Sequence, residues 1–275
     1  MGKPFNKQPS SEFHVFINKI LDQINTKIIK QDIDSAIIYI PSYKIVYLFE
    51  IKRSNISVEK WQPFKNDYSN YIALFRFKEQ SCINKVFVLY YMKENLNAGI
   101  KVFELKELQK NGNDLKPIFE ERGIYDIRCF KIDFLLPLFI KNDLIRETNL
   151  QGLRNPNNIY SFLDMISNYQ NMIYVENEGS WIMLISSKED YSPICIYKEI
   201  CGDLDASAFS FEQNYISNVF EKISKELNIP YFEFYYKKKN DLENFKIREY
   251  NSEKLMNRED FVKYFLDKIN KARTK

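Results

Sequence analysis

The sequence predicts a mixed α/β fold, and three observations carry that expectation. Phe13, Phe16, Ile17, Ile20, Leu21 and Ile24 recur at helical spacing and mark an amphipathic helix over residues 11–25. Runs rich in β-branched and aromatic residues follow at strand length, "DSAIIYI" (34–40), "KIVYLFEIKR" (44–53) and "INKVFVLYYM" (83–92). A helical stretch separates the last two, so the chain reads as a sheet covered by helices.

Taken in order, Ser10 or Ser11 caps the first helix, and "TKIIK" (26–30) is a short strand. The runs 34–40 and 44–53 are joined by "PSY" and read as a hairpin turning at Pro41. Residues 57–79 read as helical after Pro63, which suits a first turn. A strand at 83–92 completes the order helix, strand, strand, strand, helix, strand, and "IKVFEL" (100–105) and "YDIRCFKIDFL" (125–135) read as further strands. "NLQGLRNPNN" (149–158) has linker composition and divides an N-terminal domain, 1–148, from a second α/β domain, 149–275. In the second domain the pattern gives a helix at 159–170 and strands near 172–177, 180–187 and 193–200. A helix with a Ser210–Gln213 capping box follows, then strands at 231–237 and 245–250 and a helix from 258.

Composition narrows the chemistry. The 275 residues carry a net charge of +3, so any basic surface is local. No apolar signal segment and no run long enough to span a bilayer is present, which predicts a cytoplasmic protein without membrane partners. The four cysteines lack metal spacing, and each reads as a reduced core thiol. His14 is the single histidine, which disfavours triad chemistry and His-based metal sites and itself reads as structural. Seven glycines with no phosphate-cradling motif disfavour nucleotide binding by a Gly-rich loop. Carboxylates and lysines are left to carry any reaction.

One cluster has the right pattern. Glu50 and Lys52, two apart on a strand, project from the same face, preceded on that face by Val46 and Leu48. Asp34 opens the neighbouring strand, and Asp34 and Glu50 are each eight residues from Ser42 in the turn. A hairpin therefore brings the two acids to one sheet edge. Two carboxylates there are hard oxygen donors suited to Mg²⁺ or Mn²⁺. Such a cation assists phosphodiester hydrolysis by neutralising developing charge and lowering the pKa of the attacking water. The lysine orients that water or stabilises the transition state. Asp32, two residues earlier on the same face, is the alternative acid; register favours Asp34. A solvated strand end with no function remains the competing reading. A second E-x-K, Glu104-Leu105-Lys106, lacks a hairpin-spaced acid and serves as an internal control.

Asp34 followed, about one hairpin later, by Glu50-Ile51-Lys52 resembles the signature of the PD-(D/E)XK nuclease superfamily, which includes restriction endonucleases and Holliday junction resolvases. The element order over residues 10–92 resembles that family's α-β-β-β-α-β core, although Ile33 replaces the proline before the aspartate. The resemblance implies a restriction endonuclease-like fold and a magnesium-dependent endonuclease, a hydrolase acting on DNA. Asp34, Glu50 and the Ile51 carbonyl would bind the metal, and Lys52 would be the catalytic lysine. Glu12 would be the first-helix glutamate found in several members, and Gln62, Lys65 and Tyr68 would touch the substrate. Cutting both strands implies two such sites and so a homodimer.

Outside that stretch, "YYKKKND" (235–241) sets Lys237, Lys238 and Lys239 beside two tyrosines, a combination able to grip phosphates and stack bases, or simply a solvated strand end. A catalytically inactive nuclease-like module that binds nucleic acid or protein is the alternative function, and an RNA-directed nuclease a third.

Overall fold

The computed structural model describes residues 12–24, 28–39, 42–112, 114–126, 129–141, 172–176, 180–201, 211–236, 242–250 and 252–273. It is a mixed α+β structure with two six-stranded sheets and five α-helices among those residues. The chain divides into two compact units. One comprises residues 1–32, 178–210 and 220–275, and the other residues 33–177 and 211–219. The expected boundary between 148 and 149 lies outside the described residues, while α1 and β1 fall in the unit that holds the C-terminal strands.

In the first unit, β1 (Ile28–Asp32), β8 (Ser180–Ser187), β9 (Pro193–Cys201), β10 (Tyr231–Tyr236), β11 (Asn244–Glu249) and β12 (Ser252–Asn257) lie side by side in that order. All neighbours are antiparallel except β9 and β10. Helix α1 (Glu12–Leu21) buries its apolar stripe against one face of this sheet, together with α5 (Arg258–Arg273). Phe13 stacks on Tyr236 at 4.5 Å, and Phe16 stacks on Phe245 at 5.4 Å. That aromatic packing explains why α1 joins this unit. Its spacing announced a helix with one buried face, but not which sheet it covers.

The second unit contains β2 (Ser35–Tyr39), β3 (Lys44–Ser54), β4 (Lys85–Met92), β5 (Ile100–Asn111), β6 (Asp114–Tyr125) and β7 (Met172–Glu176), in the sheet order β6-β5-β4-β3-β2-β7. Strands β2 and β3 form the expected antiparallel hairpin, while β3 and β4 run parallel, connected through α2 (Tyr68–Gln80). The place beside β2 is taken by β7, and β1 pairs with β8 of the other sheet, so the three strands expected to run consecutively do not form one meander. One face of the sheet buries Tyr47, Phe49, Phe87, Leu89 and Val102 with Phe130, Phe134 and Leu135. Leu48, Glu50 and Lys52 alternate onto the opposite face, where Tyr71 of α2 approaches Lys52.

Several local expectations change. Residues 131–141 are helical, a π-turn (Lys131–Leu135) running into α3 (Leu136–Lys141), because Phe130, Phe134 and Leu135 reach the core at helical spacing. Strand β6 was unforeseen; its charges, Pro117 and Gly123 are tolerated because it is an edge strand. Strand β12 is likewise an exposed edge. Helix α2 begins at Tyr68, after a 3₁₀ turn (Lys65–Asp67), and not at Pro63. Helix α4 (Phe211–Leu227) lies where the capping pattern put it. Cys82, at φ 53, and Cys129 are exposed free thiols, against the core reading, whereas Cys195 is buried. The side chain of Cys201, the proposed linker 149–158 and the expected helix 159–170 lie outside the described residues. No helix among the described residues is long and apolar enough to cross a membrane.

Candidate active site

The register of the β2–β3 hairpin sets the geometry. Ser35 faces Phe49, Ala36 faces Leu48 and Ile37 faces Tyr47, which carries Asp34 to the level of Glu50. Asp34 lies just before β2, and its Oδ2 accepts a hydrogen bond from the Ile51 N–H at 2.6 Å. A carboxylate thus extends the strand ladder where a backbone carbonyl would otherwise accept. Asp32 lies on β1, opposite Met183 in the first unit, so the acid beside Glu50 is Asp34.

Glu50 is 1% exposed, and Lys52 Nζ lies 2.6 Å from its Oε1. A buried carboxylate held this closely by an ammonium is a charge-assisted contact, and it answers the cost of removing that carboxylate from water. Lys52 also reaches Asp67 Oδ2 at 3.7 Å and lies 5.9 Å from the centre of the Tyr71 ring. Burial alone would lower the Lys52 pKa, but the Glu50 carboxylate, Tyr71 and Asp67 outweigh it and raise the pKa above the ordinary lysine value. Its side chain keeps 23% exposure, so the cluster is open to solvent on one side.

Two contributors escaped the sequence reading. Asp67 closes the 3₁₀ turn before α2, and Tyr71 lies four residues later, one helical turn on. Tyr71 is fully buried, and its hydroxyl has no hydrogen-bond partner among the described residues. Burial raises its pKa most; the Lys52 cation opposes this, while Glu50, Asp67 and Asp34 add to it. The phenol therefore lies in the field of all four charged side chains. The i, i+4 spacing of Asp67 and Tyr71 was the available signal, but it does not say that this helix face is the one turned to Lys52.

Of the other expected residues, Gln62 and Lys65 are exposed on the segment leading into α2, and Tyr68 is half-buried in its first turn. Glu12 falls on α1, in the other compact unit, and its side chain lies outside the described residues. Lys237, Lys238 and Lys239 also lie outside them. The control motif has a different environment. Glu104 is bound by Lys85 at 2.8 Å, Lys106 at 3.2 Å and Arg122 at 3.5 Å, a saturated ion network.

Asp34, Glu50 and the Ile51 carbonyl are hard oxygen donors of the kind Mg²⁺ and Mn²⁺ take from one or two carboxylates, water completing the shell. The donor chemistry fits such a lightly held cation. It does not fit a closed protein cage: no group of three or more His, Cys, Asp or Glu able to hold a metal occurs among the described residues.

No protein-family model matches the chain, and no curated protein matches it. Among solved structures, the C-terminal domain of the sex pheromone staph-cAM373 precursor from Staphylococcus aureus is similar at 9% identity and a TM-score of 0.15, covering 78% of this chain and 65% of that one. A sex pheromone precursor from Lactobacillus salivarius subsp. salivarius UCC118 is similar at 12% identity and a TM-score of 0.16, covering 78% of this chain and 63% of that one. The chain thus spans slightly less than two thirds of each, and similarity at this level establishes neither a shared fold nor a shared function.

Proposed function

We propose that the protein is a divalent-metal-dependent endonuclease that hydrolyses phosphodiester bonds in DNA, through a PD-(D/E)XK-type site. The observation that carries the reading is the convergence of Asp34, Glu50 and Lys52 at one end of the β2–β3 hairpin, with Glu50 buried and Lys52 2.6 Å from it. Asp34, Glu50 and the Ile51 carbonyl would hold Mg²⁺ or Mn²⁺. When bound, the cation supplies charge neutralisation and a lower pKa for the attacking water.

The chain's own residues account for the rest. Lys52 has a raised pKa and stays an ammonium at neutral pH, so it acts as a fixed positive charge and hydrogen-bond donor, not as a base. It is placed to donate to a non-bridging phosphate oxygen as negative charge builds there. Glu50 and Asp67 orient its Nζ from two sides. In the overall reaction water adds to phosphorus, the bond from phosphorus to the leaving sugar oxygen breaks, and that oxygen gains a proton as the water loses one. Two strands cut in concert would need a second copy of the site, supplied by a homodimer.

The test is incubation of wild type and Lys52→Ala with circular, linear and single-stranded DNA and with RNA, in Mg²⁺, Mn²⁺ or EDTA. Metal-dependent cutting of DNA by wild type alone is expected. Metal-dependent cutting of RNA alone would move the substrate to RNA, and equal cutting by both proteins would overturn the site. The closed Glu50–Lys52 pair favours one second reading, a nuclease-like module that binds nucleic acid or protein without catalysis. That module would cut nothing, and Mg²⁺ or Mn²⁺ would leave its melting temperature unchanged.

A further inference from the structure

The segment 55–66, between β3 and α2, is anchored at several points yet presents one large ring to solvent. Trp61 is buried, and its ring stacks on Tyr90 at 4.4 Å with the planes 1° apart. Its indole N–H has no hydrogen-bond partner among the described residues, so ring packing is what holds it. Lys101, itself buried, donates from Nζ to the carbonyls of Glu59 and Trp61, each at 3.1 Å. The Tyr90 hydroxyl donates to the Ile56 carbonyl at 2.5 Å. On this fixed segment Phe64 remains 43% exposed, in edge contact with Trp61 at 5.8 Å and 80°.

Phe64 is also tied to the site. Its carbonyl accepts from the Asp67 N–H at 3.0 Å, and the Asp67 carboxylate reaches Lys52 at 3.7 Å. Lys60 and Lys65, both exposed, precede and follow Phe64 in the sequence, and Glu59 is the only acid between residues 55 and 66. An exposed aromatic ring thus sits on an anchored segment that also carries two exposed lysines and is hydrogen-bonded to the turn that bears Asp67. That combination matches the chemistry of an unpaired nucleotide, whose base stacks while its phosphates meet the lysines. A base inside a duplex has both faces covered by its neighbours and cannot use such a platform.

Resting on the nuclease reading above, we infer that Phe64 stacks an unpaired base next to the site, so the substrate class is single-stranded or locally unpaired nucleic acid.

The experiment measures binding in EDTA and cutting in Mg²⁺ separately. Fluorescence anisotropy of three short fluorescein-labelled DNAs (a single strand, the same strand with abasic residues, and a duplex) is followed with wild type, Phe64→Ala, Phe64→Tyr and Lys52→Ala. Phe64 is exposed, and circular dichroism melting checks that the variants fold. Wild type is expected to prefer the single strand. Phe64→Ala should weaken that complex about five- to tenfold, leave the abasic strand unchanged, and be rescued by Phe64→Tyr. Equal affinity of Phe64→Ala and wild type for the single strand, or an equal loss on the abasic strand, would overturn the inference. Phe64-dependent binding without cutting would leave the strand platform standing and remove the nuclease reading. Cutting without Phe64 dependence would do the reverse, and neither would remove both.

Discussion

Replacing Lys52 with methionine tests the site at its closest ion pair. The change keeps an unbranched apolar stem, one atom shorter, and deletes the cation 2.6 Å from Glu50, a carboxylate that is 1% exposed. Removing one partner of a buried pair costs about 3–5 kcal/mol, because the remaining charge is still in the core. Lys52 keeps 23% exposure, so water softens the loss, and about 2–3 kcal/mol is the expected figure. For a unit of this size that lowers Tm by roughly 5–10 °C. The same vacancy should make the variant more responsive to metal, since a divalent cation can now neutralise Glu50 without competing with an ammonium. Saturating Mg²⁺ at about a hundred times Kd would return about 2.7 kcal/mol. The assay is thermal unfolding of wild type and Lys52→Met with EDTA or graded Mg²⁺, followed by circular dichroism. Equal stability in EDTA would refute the buried pair. A variant gaining no more from Mg²⁺ than wild type would refute Glu50 as a shared ligand of ammonium and metal.

Other expectations bear on single contacts. Asp34→Asn keeps an oxygen able to accept from the Ile51 N–H, so stability should fall by less than about 1 kcal/mol, while Mg²⁺-dependent stabilisation in the same melts disappears. Trp61→Ala removes a buried ring stacked at 4.4 Å and should cost about 3–5 kcal/mol in urea unfolding. In the first unit, burial lowers the Lys30 pKa to about 8 against the pull of Glu199 and Asp32. The unfolded chain holds that proton up to about 10.4, so the penalty is full below pH 8 and fades as pH rises from 8 to 10. The stability gained by Lys30→Met should accordingly shrink across that window, and a difference constant with pH would contradict it.

The hairpin carrying Asp34, Glu50 and Lys52 was legible because strand alternation and a count about Ser42 fix both face and register, and the observed pairing of Ser35 with Phe49 keeps that count. The first helix was equally plain as a helix, since Phe13 to Ile24 repeat at its period. Its partner was not, because a stripe of phenylalanines specifies burial without naming the sheet. Strand β1 posed the same problem, its mate β8 lying far along the chain. Asp67 and Tyr71 were missed because a helical period does not name the strand that a helix face covers. The helix start was also displaced: Pro63 is a good first-turn residue, but the Lys101 bonds take up the Glu59 and Trp61 carbonyls, and a 3₁₀ turn precedes α2 at Tyr68. Strand β6 was hidden by its own exposure: an edge needs little apolar patterning.

The pairing of β2 with β7 has a consequence for how the chain assembles. During synthesis α1 and β1 emerge first, yet β1 cannot find its mate until β8 exists, since Ile28 pairs with Ser187. Closing so long a loop from a disordered chain is slow, because its entropy must be lost before any contact compensates. The second unit, with its sheet formed in the meantime, would remove that obstacle. Its own sheet holds Ser35 opposite Glu176, so the two ends of the intervening chain are already neighbours when β8 appears. Asp32 and Met183, which face each other in the register of β1 and β8, would then have only a short loop to close. The second unit's sheet would thus shorten the loop that β1 and β8 must close, and damage inside it, such as Trp61→Ala, would delay their pairing.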